Sequence, residues 1–214
     1  MPTDKAPLIE QSALLARLLA TDPAARQIIS IAGPPGSGKS TVAERLVAAA
    51  NAARPGFAAL LPMDGFHYDD GLLQALGRLA RKGAPDTFDV GGLRHMLARL
   101  RARDEDAVAV PVFDRSAELA RAGARLIPRA VGLVVVEGNY LLLREPPWNA
   151  LGAAFDLTVM IETPEAELRA RLARRWQHYR LAPEAIAQKL DGNDLPNGRR
   201  VVQDSLQPDF RLAN

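Results

Sequence analysis

The sequence predicts an α/β fold in three layers, with a mostly parallel β-sheet between helices on both of its faces. Short runs rich in Ile, Val and Leu alternate with longer amphipathic or alanine-rich stretches, the order expected of strands and helices in such a sheet. A length of 214 residues and a hydrophobic share of 48% suit one domain with a sizeable core. A glycine-rich turn follows the first apolar run, where ligands bind in these folds. We therefore expect one domain over residues 1–214.

The first half of the chain predicts helices and buried strands in alternation. Leucines at helical spacing indicate an amphipathic helix at residues 8–20, and the β-rich run QIISIA indicates a buried strand at 27–32. An alanine-rich helix is expected at 40–53 and a second buried strand at 57–61. The remaining elements of this half are two helices and a strand, at residues 69–80, 92–103 and 108–113.

The second half continues the alternation. Thr163 and Pro164, which follow a strand at 157–161, suit the cap and the first residue of a helix. We expect that helix to run to about residue 179. The other elements are a strand at 133–136, a helix from residue 183 and a last short strand at 201–202.

Composition excludes several classes of function. The chain has no cysteine, so disulfides, thiolate metal sites and cysteine nucleophiles are ruled out. The formal net charge of +2 gives no field that would favour nucleic acid. No run approaches the roughly 20 apolar residues of a membrane span, and the N-terminal stretch carries acids and does not resemble a signal peptide. We therefore expect a cytoplasmic protein without nucleic-acid or membrane partners.

Residues 33–40 read GPPGSGKS and match the phosphate-binding pattern G-x-x-x-x-G-K-[ST] in full. Glycine lets the backbone turn its N–H groups towards phosphate oxygens, and the helix that follows adds the positive end of its dipole. Lys39 can reach the β- and γ-phosphates, and the Ser40 hydroxyl can ligate Mg²⁺. The strand before the motif and the helix after it argue against a chance glycine-rich turn. The expected nucleotide-binding residues are Gly33, Pro35, Gly36, Ser37, Gly38, Lys39, Ser40 and Thr41.

The pattern alone does not separate kinases from GTPases and transport ATPases. The sequence contains no N-K-x-D guanine reader and no L-S-G-G-Q transporter signature. A lone D-x-x-G at residues 89–92 follows no predicted strand and opens a helix, so we interpret it as a helix cap. These absences favour a kinase.

Two carboxylates stand where predicted strands end. Asp64, in LPMDGFHY, could orient and deprotonate an acceptor hydroxyl, or it could open an ordinary turn before Gly65. Glu137, directly after VVV, could hold Mg²⁺ itself or through water, or it could be a plain strand-end acid. The phosphate motif favours the functional interpretation of both. His67 is equally consistent with a pocket residue and with a hydrogen-bonded wall residue.

An arginine-rich helix is expected at residues 167–180. Its packing stripe recurs every fourth residue, at Leu168, Leu172 and Trp176. Arg171, Arg174 and Arg175 share an arc of about 100° beside that stripe. A solvated basic face is the alternative, but the phosphate motif favours a helical lid at about 167–182, with Arg171 and Arg175 as catalytic contacts to ATP.

The blocks GPPGSGKST, MDGFHYDD, RKGAPDTFD, VPVFDR and VVVEGNYLL, in this order, resemble the superfamily of uridine kinase, phosphoribulokinase and bacterial pantothenate kinase. The similarity spans about residues 27–202. Within that superfamily the MDGFH, EGNYLL and NDLPNGR blocks are similar to a bacterial group labelled fructose transport system kinase or putative fructokinase. The resemblance implies a P-loop kinase fold with a small helical lid.

The resemblance also implies roles for individual residues. Asp64 would be the catalytic base and a metal-side carboxylate, and Glu137 would lie near Mg²⁺. The acceptor pocket would be lined by Asp64, Phe66, His67, Tyr68, Phe88, Arg115, Glu137 and Tyr140. Asn193 and Asn197 would belong to a loop that touches the adenine ring. A plain turn between a helix and the last strand is the alternative for that segment.

Together these observations predict a kinase that transfers the γ-phosphoryl group of Mg²⁺-bound ATP to a hydroxyl of a sugar or sugar-like metabolite. A nucleoside or pantothenate-type kinase with the same machinery is one alternative. A regulatory ATPase without a small-molecule acceptor is another, and it would have no use for Asp64. The assembly is left open between a monomer and a homodimer.

Overall fold

A computed structural model describes residues 5–22 and 25–214, which form a five-stranded sheet, a separate two-stranded hairpin and surrounding helices. In chain order the strands are β1 (Gln27–Ala32), β2 (Ala58–Pro62), β3 (Ala107–Asp114), β4 (Leu119–Pro128), β5 (Leu133–Gly138), β6 (Leu157–Glu162) and β7 (Phe210–Ala213). The helices are α1 (Gln11–Leu19), α2 (Lys39–Ala53), α3 (Asp70–Ala75), α4 (Val90–Ala102), α5 (Glu165–His178), α6 (Pro183–Lys189) and α7 (Leu195–Asp204).

The main sheet has the strand order β2-β5-β1-β6-β7, and all of its neighbouring strands are parallel. Both faces are buried. On β5, Val134 and Val136 join a core that includes leucines of α4, while Leu133 and Val135 join a second core with α1 and α2. Side chains alternate between faces along a strand, so an unbroken apolar run supplies both cores. The predicted three-layer α/β fold is confirmed.

The hairpin of β3 and β4 lies outside the main sheet. The strand expected at 108–113 exists as β3, but it pairs antiparallel with β4. The sequence pattern does not predict β4, because most of its side chains are exposed and it has no apolar run. The hairpin lies against the turn Met63–Phe66, where a Cβ at Gly65 would come within 2.6 Å of the Pro111 carbonyl oxygen. Glycine at position 65 therefore permits this close approach.

The segment from α5 to α7 forms a helical unit with its own small core. Leucines and an isoleucine from α5, α6, the following turn and the start of α7 pack together, at Leu168, Leu172, Ile186, Leu190 and Leu195. A π-helical turn, Leu190–Asp194, joins α6 to α7. Single π turns inside helical segments often occur at functional sites.

The N-terminal helix is shorter than expected. The predicted range of 8–20 is wrong at its start, since α1 begins at Gln11. Leu8 is extended beside β7, and the Ile9 amide donates a hydrogen bond to the Arg211 carbonyl at 2.8 Å. Pairing with the sheet edge therefore outweighs helical propensity at these residues. The helix expected at 69–80 also shortens to α3, followed by a 3-10 turn at Leu79–Arg81.

Three predictions in the second half are wrong. Residues 193–198 are helical rather than a loop, and Val201 and Val202 lie within α7 rather than in a strand. Val201 is buried while Val202 is 67% exposed, as expected on an amphipathic helix. The last strand is β7. Pro164 is the N-cap of α5, so that helix begins at Glu165, one residue later than predicted.

Candidate active site

The phosphate motif forms a loop between β1 and α2, as its sequence context predicts. Gly36 and Gly38 have φ angles of +81° and +83°, in the left-handed region that glycine occupies without steric cost. Lys39 is the first residue of α2, so its side chain starts at the positive end of the helix. The loop and the helix end together offer N–H groups to an anion.

The loop is held from outside by three side chains that converge on the Ser37 carbonyl oxygen. Arg171 Nη1 and the Thr163 hydroxyl donate to it at 3.3 Å each, and Asn214 Nδ2 donates at 2.7 Å. Arg171 is also bound to Glu167, four residues earlier on α5, at 2.8 Å. Arg171 therefore lies beside the phosphate loop, where the sequence analysis expects a nucleotide contact. The sequence pattern gave no signal for Asn214, which reaches the loop only because β7 ends next to it.

Ser40 and Glu137 form the pair expected to hold Mg²⁺. The Ser40 hydroxyl donates to Glu137 Oε2 at 3.0 Å across the ends of β5 and α2. Burial and the charge of Asp64 raise the pKa of Glu137, although Lys39 acts in the opposite direction. Residues 5–22 and 25–214 contain no cluster of three or more His, Asp or Glu side chains that could hold a metal alone. This donor set suits Mg²⁺, which protein kinases and ATPases bind through one or two side chains together with phosphate and water.

Asp64 lies on the 3-10 turn Met63–Phe66, directly after β2. Its Oδ2 accepts a hydrogen bond from Arg115 Nη2 at 2.7 Å, and its carbonyl oxygen lies 2.8 Å from His67 Nδ1. Burial alone would raise the pKa of Asp64, but the charges of His67, Lys39, Arg115 and Arg175 lower it overall. The carboxyl group is therefore ionised at neutral pH and can accept a hydrogen bond from a hydroxyl.

Asp64 and Lys39 line one cavity of about 140 Å³, which we call the central cavity. Several side chains named by the sequence analysis meet there. They are Pro35, Lys39, Asp64, His67, Phe88, Arg115, Arg175, Asn193 and Asn197. The His67 ring lies 4.0 Å from the Phe88 ring centroid and 4.8 Å from that of Phe113, so these rings form one wall.

Four residues expected in the acceptor pocket do not line the central cavity, and one of them, Glu137, is bound to Ser40 instead. Phe66 is buried in the core, and Tyr68 faces a separate groove beside the hairpin. Tyr140 is fully buried, and its hydroxyl donates to the Gly83 carbonyl at 2.6 Å. Burial raises the pKa of Tyr140, which stays neutral. Its contact supports the segment that carries Lys82 and Gly83 at the cavity wall.

Asn193 and Asn197 line the central cavity together with His67 and Phe88. Gly198, the residue after Asn197, lies close to Pro34 of the phosphate loop. Asn193 Nδ2 donates to the Lys82 carbonyl at 3.2 Å, and Asn197 Nδ2 donates to Asn193 Oδ1 at 2.9 Å. The π-helical turn brings the Asn193 side chain to the central cavity. Contact with the adenine ring stays a prediction from resemblance.

The helical unit also supplies cavity residues to which the sequence analysis assigns no role in the site. Asp194 accepts a hydrogen bond from Trp176 Nε1 at 2.7 Å, and both residues line the cavity with Lys189. Burial raises the pKa of Asp194. Burial and the charge of Arg115 lower the pKa of Arg175. An anion between these two arginines would relieve their repulsion.

Comparison with known proteins finds relatives along most of the chain. The uncharacterised protein YggC of Escherichia coli is 35% identical over 199 residues, which cover 91% of this chain and 80% of that protein. A putative uridine kinase of Schizosaccharomyces pombe is 33% identical over 199 residues, which cover 87% and 83%. No protein-family model matches the chain.

Among solved structures, a putative fructose transport system kinase from Silicibacter sp. TM1040 is 39% identical, with a TM-score of 0.87. The match covers 95% of this chain and 98% of that one. The pantothenate kinase of Sorangium cellulosum is 35% identical over 147 residues, which cover 66% of this chain and 46% of that enzyme. Phosphoribulokinase from Rhodobacter spheroides shares the fold alone, with a TM-score of 0.55 at 12% identity.

Proposed function

We propose that this chain, which belongs to the P-loop kinase family of uridine kinase, pantothenate kinase and phosphoribulokinase, phosphorylates a hydroxyl group of a sugar or sugar-like metabolite. Its family makes it an ATP-dependent phosphotransferase. The proposal concerns the acceptor and the roles of the residues. The observation that carries it is that Asp64 and Lys39 line one small polar cavity.

The size and lining of the central cavity support a small polyhydroxylated acceptor. Its volume of about 140 Å³ is below the roughly 300–1,000 Å³ of sites for drug-sized ligands. Asp64, Asn193, Asp194 and Asn197 supply hydrogen-bond acceptors and donors for hydroxyl groups, and the His67–Phe88 wall supplies an apolar face. The relative described as a putative fructose transport system kinase supports a sugar over a nucleoside.

Each residue then has a role in the transfer. Asp64, which is ionised, accepts a hydrogen bond from the acceptor hydroxyl, directs its oxygen towards the γ-phosphorus and takes the proton as the P–O bond forms. Because its lowered pKa makes Asp64 a weak base, orientation is its larger contribution. Lys39 and the loop amides stabilise charge on the phosphoryl oxygens, and Arg175 approaches the same oxygens from α5.

Ser40 and Glu137 would hold Mg²⁺ at the end of β5. The metal ion neutralises charge on the β- and γ-phosphates when it is bound with ATP. The hydrogen bond between the two side chains keeps the Ser40 oxygen and the Glu137 carboxylate close enough to bind the same ion. Arg171 is held by hydrogen bonds to the Ser37 carbonyl and to Glu167. It would contact the bound ATP beside the phosphate loop.

The test is a panel of acceptors with Mg²⁺-ATP, in which ADP release is measured and the product is identified by phosphorus NMR. The panel contains ketoses, aldoses and sugar acids together with uridine and pantothenate, and Lys39→Ala is the inactive control. We expect a sugar or sugar acid to raise ADP release many-fold above the acceptor-free rate. A response to uridine or pantothenate alone would refute the acceptor class. A rate unchanged by every acceptor would favour the regulatory ATPase.

A further inference from the structure

A second concave site lies away from the central cavity, beside the edge strand β7. We call it the β7 groove, and its volume is about 700 Å³, within the range of small-molecule sites. Its walls come from β6, from the end of α7 and from the loop before β7, with Met160, Ile161, Val202, Leu206 and Pro208 as apolar members. None of these residues has a role in the proposed phosphoryl transfer.

Exposed apolar side chains gather at the rim of the β7 groove. Val202 is 67% exposed and Leu206 is 41% exposed, and both line the groove. Leu8, which is 62% exposed, pairs through its backbone with Arg211, a lining residue of the groove. Apolar side chains that gather around a concave site often mark a binding site.

The charged residues of the groove leave positive charge uncompensated. Arg211 is paired with Glu162 at 3.0 Å and also donates to the Ala6 carbonyl. Lys5 and Arg144 also line the groove, and no acidic side chain within residues 5–22 and 25–214 forms an ion pair with either of them. Ser205 is 7% exposed, and its hydroxyl has no hydrogen-bond partner in that part of the chain.

We infer that the β7 groove binds a soluble amphipathic anion, a carboxylate or phosphate attached to a short hydrocarbon chain. The anionic group pairs with Arg144 and Lys5. The hydrocarbon chain covers Val202, Leu206 and the apolar wall, removing their surface from water.

Occupancy of the β7 groove is coupled to the phosphate loop. Pro34, the second residue of the phosphate motif, and Thr163 both line the groove. The Thr163 hydroxyl donates to the Ser37 carbonyl inside that loop. A ligand that contacts Pro34 and Thr163 therefore changes the affinity for ATP, and ATP changes the affinity for that ligand by the same factor.

Calorimetric titration of the full chain with octanoate, octanol and acetate tests this inference without any phosphoryl acceptor. We expect saturable binding of one octanoate, and about tenfold weaker binding of octanol, which lacks the charge, and of acetate, which lacks the chain. Arg144→Gln and Val202→Asp should each weaken octanoate binding about tenfold. Arg94→Gln removes another exposed arginine, on α4, and should leave it unchanged.

Several results would overturn the inference. If octanol bound as tightly as octanoate, or if Arg144→Gln bound octanoate like the wild type, the groove would have no anion-binding site. Binding to anionic vesicles but not to monomeric octanoate would show a membrane surface instead. A dimer that Val202→Asp dissociates, without octanoate binding, would show a second copy of the chain in the groove. Octanoate binding that leaves the ATP affinity unchanged would refute the coupling.

Discussion

At the nucleotide end of the central cavity, residues 33–41 of one continuous segment supply the phosphate loop, whereas the acceptor end combines side chains from distant parts of the chain. The nucleotide end depends chiefly on backbone N–H groups, which the glycine conformations at positions 36 and 38 direct inward. The acceptor end depends on side chains such as Asp64, Arg115 and Asn193, which come from a turn, a hairpin and a π-helical turn.

This difference implies that the two ends can be altered separately. A change at the acceptor end leaves the loop backbone in place, so ATP affinity should survive it. A change beside the Ser37 carbonyl should lower ATP affinity and leave the acceptor contacts intact. The separation is incomplete at one point, because Asp64 and Lys39 share one cavity. Substitutions at each end can therefore confirm or refute the division.

The largest effect is expected at Asp64. Asp64→Asn keeps the shape of the side chain but removes its charge and its capacity to take a proton, so kcat should fall about 100- to 10,000-fold. ATP binding measured by calorimetry should stay within about twofold of the wild type. Asp106→Asn, at a fully exposed aspartate on the surface, is the matched control and should change neither quantity. Unchanged turnover in Asp64→Asn would contradict the proposed mechanism.

A smaller effect is expected at the nucleotide end, at Arg171. Arg171→Gln removes the charge beside the phosphate loop and the hydrogen bond to the Ser37 carbonyl, so the KM for ATP should rise about tenfold. Arg174 is one helical turn further along α5, and its exposed guanidinium approaches Glu167 at 3.6 Å on the surface. Arg174→Gln is therefore the control. Equal effects of the two substitutions would indicate a general contribution of surface charge.

A further test concerns Asn193, which resemblance assigns to the adenine ring and which the proposed function assigns to the acceptor. Asn193→Ala should raise the KM for the acceptor about three- to tenfold, the loss expected for one or two neutral hydrogen bonds. The KM for ATP should not change. Asn149→Ala, the same substitution at an exposed asparagine before β6, is the control and should change neither KM. The reverse pattern, a higher KM for ATP alone, would restore the adenine assignment.

The sequence predicts the nucleotide end better than the acceptor end for a physical reason. The phosphate loop is local, so a strand, a glycine pattern and a helix start within one segment specify it. The acceptor end requires β4, whose mostly exposed residues have no apolar periodicity, and a π-helical turn, which has no composition signal. Tyr68 illustrates the limit, because its neighbours Asp64 and His67 reach the cavity while its own side chain faces another groove.

The smallest effect is expected at Asp194, a residue of the acceptor end whose charge could help to bind the acceptor but lowers the stability of the folded state. Burial raises the pKa of Asp194, so the folded state binds its proton more tightly than the unfolded state. Its ionisation therefore opposes folding. The stabilisation of the folded state by protonation is fully present below the ordinary pKa of an aspartate and is lost as the pH rises through the raised pKa. Asp194→Asn removes that charge and keeps an oxygen that can accept the hydrogen bond from Trp176.

Thermal unfolding of Asp194→Asn at neutral and at mildly acidic pH measures this balance. At pH 7.5, about three units above the ordinary pKa of a carboxyl group, wild-type Asp194 is under the greatest pressure to ionise. The unfolding midpoint of Asp194→Asn should therefore equal that of the wild type or exceed it by up to about 2 °C. The difference should shrink as the pH is lowered, because the wild-type carboxyl group then becomes protonated. The KM for the acceptor should rise in the same variant if the carboxylate binds acceptor hydroxyl groups. A lower midpoint of Asp194→Asn at pH 7.5 would instead show that the attraction of the Asp194 carboxylate to Arg175 and Lys189 exceeds the cost of its burial. Asp194 would then be a structural residue of the helical unit.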